Sequence, residues 1–158
     1  MSAYKTIKTQ MRDPQVLKVA LENAKPEWKG VVTAEGDSAK ITIRGDSNMN
    51  GVLCVPKGKA GTYSDIGVVR GKDGSLSWKI SDVDTGDYYH DAETRKAKGL
   101  LFGKEWQTGM QAEYGLMERV QAATKVGAEI GHREVFNHPQ WGQVPGHKIR
   151  IRKSSTMA

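Results

Sequence analysis

The sequence predicts an α+β fold, a two-layer sandwich in which a mostly antiparallel sheet is covered on one face by two helices. Three observations support this prediction. Residues 101–127 carry the longest helical periodicity of the chain, with apolar side chains on one arc of about 180°. A shorter apolar stripe follows Asp13 and Pro14. Between these segments, residues 30–82 alternate short apolar runs with turns rich in glycine and asparagine, a pattern typical of a β-meander.

Length and composition indicate one domain. The chain has 158 residues, and we expect residues 1–158 to form a single α+β domain with an extended, loop-rich insertion at about 45–104 and a frayed tail at 154–158. No run of about 18 apolar residues occurs, and the first residues, MSAYKTIKTQ, lack the apolar stretch of a signal peptide. We therefore expect a cytoplasmic protein that makes no contact with a membrane.

The first strand and helix follow from local signals. In YKTIKTQM, residues 4–11, β-branched residues alternate between two faces, which predicts a strand. Asp13 can cap free amides and Pro14 suits the first helical position, so a helix should begin there and end before Pro26. Its apolar stripe comprises Val16, Leu17, Ala20, Leu21 and Ala24.

The middle of the chain predicts the remaining strands of the sheet. The runs are GVVTAEG, AKITIRG, GVLCVP, DIGVVRG and SLSWKIS. In AKITIRG, Ile41 and Ile43 alternate with Lys40, Thr42 and Arg44, as in a strand with one buried face. We therefore expect a sheet with one dry side, covered by the helices, and one wet side.

Residues 82–93, DVDTGDYYHDAE, form an acidic segment without lysine or arginine. Closely spaced carboxylates can bind a hard cation such as calcium or magnesium, but Gly86 comes one residue too early for an EF-hand loop. We predict a solvated acidic turn and assign no metal ligand. The basic residues that follow are Arg95, Lys96, Lys98 and Lys104, and we expect them to pair with the acidic segment across the surface.

The helix over residues 101–127 should pack on the sheet through its apolar arc, which comprises Trp106, Met110, Tyr114, Leu116, Met117, Val120 and Ala123. Glu113 is an ionisable residue near the middle of this arc. Three interpretations stay open for it: an arc drawn on the wrong residues, a partner for a lysine of the sheet, or a partly buried functional carboxylate.

The end of the chain predicts a basic hairpin, with HREVF and HKIRIRK as its strands. Lys148, Arg150 and Arg152 would share one strand face, and no acidic residue follows Glu134. The chain has a net charge of +6 and a pI near 9.4. Such a face suits contact with phosphates, and Trp141 could stack on an unpaired base, so nucleic-acid binding is one hypothesis.

No motif of a catalytic centre is present. The histidines, His90, His132, His138 and His147, do not form a metal-binding pair at helical spacing, and no nucleophile elbow, phosphate-binding loop or dinucleotide fingerprint occurs. Cys54, the only cysteine, lies in a predicted buried strand, where it acts as a small apolar residue. We predict neither enzyme activity nor a cofactor.

Both ends of the chain resemble a known family. The segments YKTIKTQMRDPQVLKVAL, AEYGLMERVQAATKVGAEIGHREVF and HKIRIR are similar to the uncharacterised family of hypothetical chloroplast reading frame thirty-five, from cyanobacteria, plastids and other bacteria. The resemblance covers residues 3–24 and 106–152, and its most specific part is Thr6 to Pro14. It implies an accessory or adaptor role, with an ATPase of the AAA type as partner, and no catalytic residues. The glycine-rich middle departs from the family pattern.

The sequence therefore favours a non-catalytic accessory protein that contacts a protein partner. Exposed aromatic residues and arginine favour interfaces, and the candidates are Tyr88, Tyr89, Trp141 and Arg150. Nucleic-acid binding through Lys148, Arg150, Arg152 and Trp141 is the alternative. A small enzyme or a metal-binding protein that uses residues 82–93 is the second alternative.

Overall fold

A computed structural model describes residues 3–37, 40–45, 47–127, 129–138 and 142–150, the last two ranges by their backbone alone. The strands are β1 (Tyr4–Lys8), β2 (Thr33–Ala34), β3 (Thr42–Ile43), β4 (Met49–Asn50), β5 (Leu53–Val55), β6 (Ile66–Arg70), β7 (Leu76–Ser81), β8 (Glu129–His138) and β9 (Gly142–Arg150). The helices are α1 (Pro14–Ala24), α2 (Lys57–Ala60), α3 (Asp82–Thr85), α4 (Ala92–Phe102) and α5 (Lys104–Lys125), with a 3₁₀ turn at Pro26–Trp28.

The predicted α+β fold with an antiparallel sheet is confirmed. Strands β1, β7, β6, β5 and β2 form one sheet in that order, and each pair of neighbours is antiparallel. The first strand lies at one edge, beside the last strand of the meander, with Tyr4 opposite Ser81 and Lys8 opposite Ser77. The pairing of β3 with β4 forms a separate two-stranded unit.

Helix α1 forms where Asp13 and Pro14 predict it. The Asp13 carboxylate accepts hydrogen bonds from the amides of Gln15 at 2.9 Å and Val16 at 3.4 Å, which satisfies the first free donors of the helix. The predicted stripe is buried at Val16, Leu17, Ala20 and Leu21. The stripe and the cap thus act together to place α1 on the sheet.

The expectation of one helix from residue 101 and of a loop before it was wrong. The chain forms two helices, α4 and α5, that meet at Gly103. A Cβ atom on Gly103 would lie 2.3 Å from the carbonyl oxygen of Gly99, so only glycine allows the two helices to join at this angle. Helix α4 starts where the Asp91 carboxylate accepts a hydrogen bond from the Thr94 amide at 2.8 Å.

The core lies between the sheet and helices α1, α4 and α5. Four aromatic rings meet where α4 joins α5: Trp28 stacks on Phe102 at a centroid distance of 6.3 Å, and Trp106 lies 5.2 Å from both Phe102 and Trp78. The predicted apolar arc of α5 is buried at Met110, Tyr114, Leu116 and Met117, and half-buried at Trp106, Val120 and Ala123. The face of α5 that packs on the core is therefore the one that the sequence predicts.

The sequence predicts that the opposite side of the sheet is exposed to solvent, but part of that side is covered in the structure. The β3–β4 unit covers part of it, and Ile41, Ile43 and Cys54 form a second, smaller buried cluster there. A Cβ atom on Gly67 would lie 2.2 Å from the Cδ1 atom of Ile43, so glycine at this point of β6 lets the unit approach the sheet.

The predicted terminal hairpin is present, since β8 and β9 pair antiparallel with Glu129 opposite Arg150 and His138 opposite Gly142. Its strands are longer than HREVF and HKIRIRK, and the pairing register shifts between Ile130 and Arg133. Among the described residues, no helix is long and apolar enough to span a lipid bilayer.

Candidate functional site

The edge strand β1 directs part of its backbone away from the sheet. The amide of Thr9 donates to the carbonyl of Leu76 at 3.1 Å, and the amide of Asp82 donates to the carbonyl of Ala3 at 2.8 Å. In an antiparallel ladder the bonded residues alternate, so odd-numbered residues of β1 bond to β7. The amides and carbonyls of Tyr4, Thr6 and Lys8 therefore face outward, where the described part of the sheet has no further strand.

A groove of about 280 Å³ runs between the end of β1 and the first half of α5. Its lining comprises Ile7, Lys8, Thr9, Trp78, Lys104, Gln107, Thr108 and Gln111. Trp78, only 1% exposed, and the half-buried Ile7 give it an apolar base. The groove therefore combines an apolar base with polar walls beside a row of outward-facing backbone groups; we name it, with the outward edge of β1, the β1 groove.

Three polar side chains of the β1 groove make hydrogen bonds to backbone carbonyls of the protein. Gln107 donates through Nε2 to the Phe102 carbonyl at 3.1 Å, Thr108 donates to the Lys104 carbonyl at 2.9 Å, and Thr9 donates to the Leu76 carbonyl at 2.7 Å. Their oxygen atoms keep the capacity to accept hydrogen bonds from a ligand.

The charge of the β1 groove is positive. Lys8 and Lys104 are the charged residues of its lining, which contains no aspartate or glutamate. None of the ion pairs between described residues uses either lysine. The arrangement suits a ligand that offers backbone amides and carbonyls together with carboxylates.

The acidic segment has a structural role that the sequence did not predict. Asp84 lies in α3, is 8% exposed, and accepts hydrogen bonds from the amides of Tyr63 at 2.8 Å and Ser64 at 3.2 Å. Asp82 accepts from the Ala3 amide at 2.9 Å. The prediction of a solvated turn was therefore wrong for residues 82–85, because these carboxylates accept hydrogen bonds from backbone amides of other segments.

The electrostatic surroundings of these carboxylates differ. Burial raises the pKa of Asp84 above its usual value, although its two amide donors oppose this effect. A hydrogen bond from Lys5 lowers the pKa of Asp87, and the two side chains form an ion pair of 2.9 Å. Within the described ranges, no group of three or more histidine, cysteine, aspartate or glutamate residues could hold a metal ion.

Two of the basic residues after the acidic segment, Arg95 and Lys98, contact carbonyls and a ring, whereas the sequence predicts that they pair with its carboxylates. The Arg95 guanidinium donates to the carbonyls of Tyr89 at 3.1 Å and His90 at 2.8 Å. The Lys98 ammonium lies 5.9 Å from the centre of the Tyr89 ring. Asp87 pairs instead with Lys5 of β1.

The predicted interface residues do not form one described surface. Tyr88, 44% exposed, packs edge-to-face on the half-buried Tyr89 at a centroid distance of 5.5 Å. Lys148 and Arg150 lie in β9, which is described by its backbone, with Glu129 opposite Arg150. Trp141 and Arg152 lie outside the described residues.

Glu113 is 6% exposed and lies on the buried face of α5. Its burial excludes the interpretation that the apolar arc was drawn on the wrong residues. On the same face, the Tyr114 hydroxyl accepts hydrogen bonds from the amides of Arg12 at 3.1 Å and Asp13 at 3.0 Å, which joins α5 to the start of α1.

A second concave surface, of about 440 Å³, lies between the β3 segment and α2. We name it the basic cleft; it is lined by Thr33, Lys40, Ile41, Thr42, Arg44, Cys54, Pro56, Lys57, Gly58 and Asp65. The sequence showed the alternation of Lys40 and Arg44 with isoleucines, but it carried no signal that joins them to Lys57.

Comparison of the chain with protein-family models, with curated proteins and with solved structures yields no match. The resemblance of the two chain ends to the family of hypothetical chloroplast reading frame thirty-five therefore stays a prediction.

Proposed function

We propose that the protein is a non-catalytic accessory protein that binds an extended, acidic segment of a partner protein along the β1 groove. The observation that carries this proposal is the outward direction of the amides and carbonyls of Tyr4, Thr6 and Lys8 at the edge of the sheet. An added strand gains main-chain hydrogen bonds there, and its alternate side chains can enter the groove.

The charges of the β1 groove support an acidic ligand. Lys8 and Lys104 flank the added strand on its two sides and have no carboxylate beside them in the lining. A segment with acidic residues on both of its faces would place a carboxylate near each of these ammonium groups. An ATPase of the AAA type, suggested by the family resemblance, is one candidate for the partner.

Replacement of Thr6 by proline tests the proposal. The Thr6 amide faces outward, so proline removes a donor that β7 does not use and blocks the approach of a new strand. The matched control is Thr6→Val, because both variants lose the hydrogen bond that the Lys79 ammonium donates to the Thr6 hydroxyl, while valine keeps the amide.

The partner is first captured from nuclease-treated extract of the native host and identified. Its binding to the wild type and to each variant is then measured by titration calorimetry. We expect Thr6→Val to bind like the wild type and Thr6→Pro to bind at least about tenfold more weakly. Equal binding by both variants would contradict the proposal. Light scattering shows whether the ligand of the β1 groove is a second copy of this chain. A dimer that is disrupted by Thr6→Pro and not by Thr6→Val would also contradict the proposal.

Charge reversal provides a test that does not change the backbone. Lys104→Glu should weaken binding of the partner, whereas Lys125→Glu, at the exposed far end of α5, should leave it unchanged. Equal effects of the two variants would show that binding of the partner depends on the net charge of the protein and not on the β1 groove. Capture that disappears with nuclease would instead favour nucleic-acid binding through Lys148, Arg150 and Arg152.

A further inference from the structure

The basic cleft lies on the side of the sheet opposite α1 and α5, since Thr33 and Cys54 project to the same side as the β3–β4 unit. It shares no lining residue with the β1 groove. A ligand of this cleft would therefore be independent of a partner segment bound to β1.

One carboxylate holds the two walls of the cleft together. Asp65, 6% exposed, accepts a hydrogen bond from the Arg44 amide at 2.8 Å through one oxygen and from the Lys57 amide at 2.8 Å through the other. The Cys54 thiol donates to it at 3.5 Å. Two cationic residues that are distant in sequence are thus fixed at one site, while the Asp65 charge is directed at backbone amides.

The cationic side chains of the cleft are available to a ligand. Lys40, Arg44 and Lys57 are exposed, and they outnumber the single lining carboxylate three to one. No ion pair between described residues uses any of them. The hydroxyls of Thr33 and Thr42 add polar groups, and Ile41 and Pro56 add apolar surface.

We propose that the basic cleft binds the phosphate group of a small phosphorylated molecule. A phosphate monoester carries close to two negative charges, which suits a cleft lined by several cationic residues better than a single carboxylate does. The Arg44 guanidinium can donate two parallel hydrogen bonds to a phosphate, and the two lysines provide point charges. The volume of about 440 Å³ lies within the range of small-ligand pockets and leaves room for a sugar-sized group beside the phosphate.

The test compares inorganic phosphate and ribose 5-phosphate with ribose, at constant ionic strength, by thermal melts and titration calorimetry. A ligand that binds only the folded state raises the melting temperature. We expect both phosphate compounds, but not ribose, to raise the melting temperature of the wild type. The rise should be lost in Arg44→Gln/Lys57→Gln and kept in Lys125→Gln, which removes one exposed charge elsewhere.

Absence of a rise with millimolar phosphate compounds would overturn the proposal, and so would an equal rise in the double variant. If the double variant fails to fold, Lys57→Gln alone should weaken ribose 5-phosphate binding at least about tenfold, since its change leaves the backbone bond to Asp65 intact. A single-stranded oligothymidine that binds more tightly than ribose 5-phosphate, with the same dependence on Arg44 and Lys57, would assign the cleft to nucleic acid and overturn the small-molecule proposal.

Discussion

Cys54 shows how one buried group sets the reactivity of another. Burial, together with the negative charge of Asp65, raises the pKa of the Cys54 thiol to about 12. The thiolate is the reactive form, so the native protein should hold almost none of it at neutral pH. The sequence predicted the buried thiol, but not its carboxylate neighbour, because Asp65 is brought to it by pairing of β5 with β6.

We therefore expect the native protein to react with a disulfide reagent at pH 8 at least about a hundredfold more slowly than the unfolded protein does. The measurement is the rate of thiol release with and without guanidinium chloride. A rapid reaction under native conditions would show that the Cys54 thiol is accessible and ionised, contrary to this prediction.

At the scale of elements, the junction of α4 with α5 depends on the absence of a side chain. Gly103→Ala would place a Cβ atom against the backbone of Gly99, whose oxygen, Cα and carbonyl carbon would lie 2.3, 2.8 and 2.9 Å away. Backbone atoms cannot yield locally, so the two helices would have to separate and disturb the ring contacts between Phe102 and Trp106.

Urea denaturation should show that Gly103→Ala lowers the free energy of unfolding by about 2 kcal/mol or more. The matched control is Gly109→Ala inside α5, where a Cβ atom would meet nothing within 4 Å. This control should raise the free energy of unfolding by about 0.5–1 kcal/mol, because alanine favours the helix. Equal effects of the two substitutions would contradict the role assigned to Gly103.

Elements whose signals are adjacent in sequence were predicted well. Features that depend on contacts between distant parts of the chain were not predicted. Helix α1 was predictable because its cap, its first proline and its apolar stripe are adjacent in sequence. Helix α4 was not, because Phe102 is its one buried residue and its periodicity is correspondingly weak. The strand β1 was predictable, but its position at the edge depends on pairing with β7, far along the chain.

At the scale of the whole molecule, carboxylates tie distant segments together and make stability depend on pH. Hydrogen bonds from backbone amides and polar side chains lower the pKa of Asp37, Asp73, Asp87 and Asp91. A lowered folded-state pKa gives stability that is present above the unfolded pKa, near 3.9, and is lost as the pH falls through the folded value. Asp84, with its raised pKa, acts in the opposite direction.

We expect the urea concentration at the unfolding midpoint to decrease as the pH is lowered from about 5 to about 3. The reason is that four aspartates with a lowered pKa act against one aspartate with a raised pKa. Lys5→Gln should reduce this pH dependence by less than about 1 kcal/mol, since the Lys5–Asp87 pair is about half exposed. Lys125→Gln, which has no described ion pair, is the control. A midpoint that rises as the solution is acidified would show that Asp84 dominates.

We expect the β3–β4 unit, which approaches β6 where Ile43 lies against Gly67, to detach from the sheet before the rest of the fold opens. Strands β3 and β4 contribute two residues each to their own ladder and stand outside the five-stranded sheet. The end of β3 is tied to the rest of the fold at Arg44, whose amide donates to Asp65 and whose carbonyl accepts from the Asp65 amide and the Tyr4 hydroxyl. Such a unit opens at a lower free energy than global unfolding, and its amides exchange with deuterated solvent first. Because Ile41, Thr42 and Arg44 also form one wall of the basic cleft, detachment would dismantle that wall. Occupancy of the cleft would therefore slow deuterium uptake in β3 and β4 while leaving the uptake of α1 unchanged.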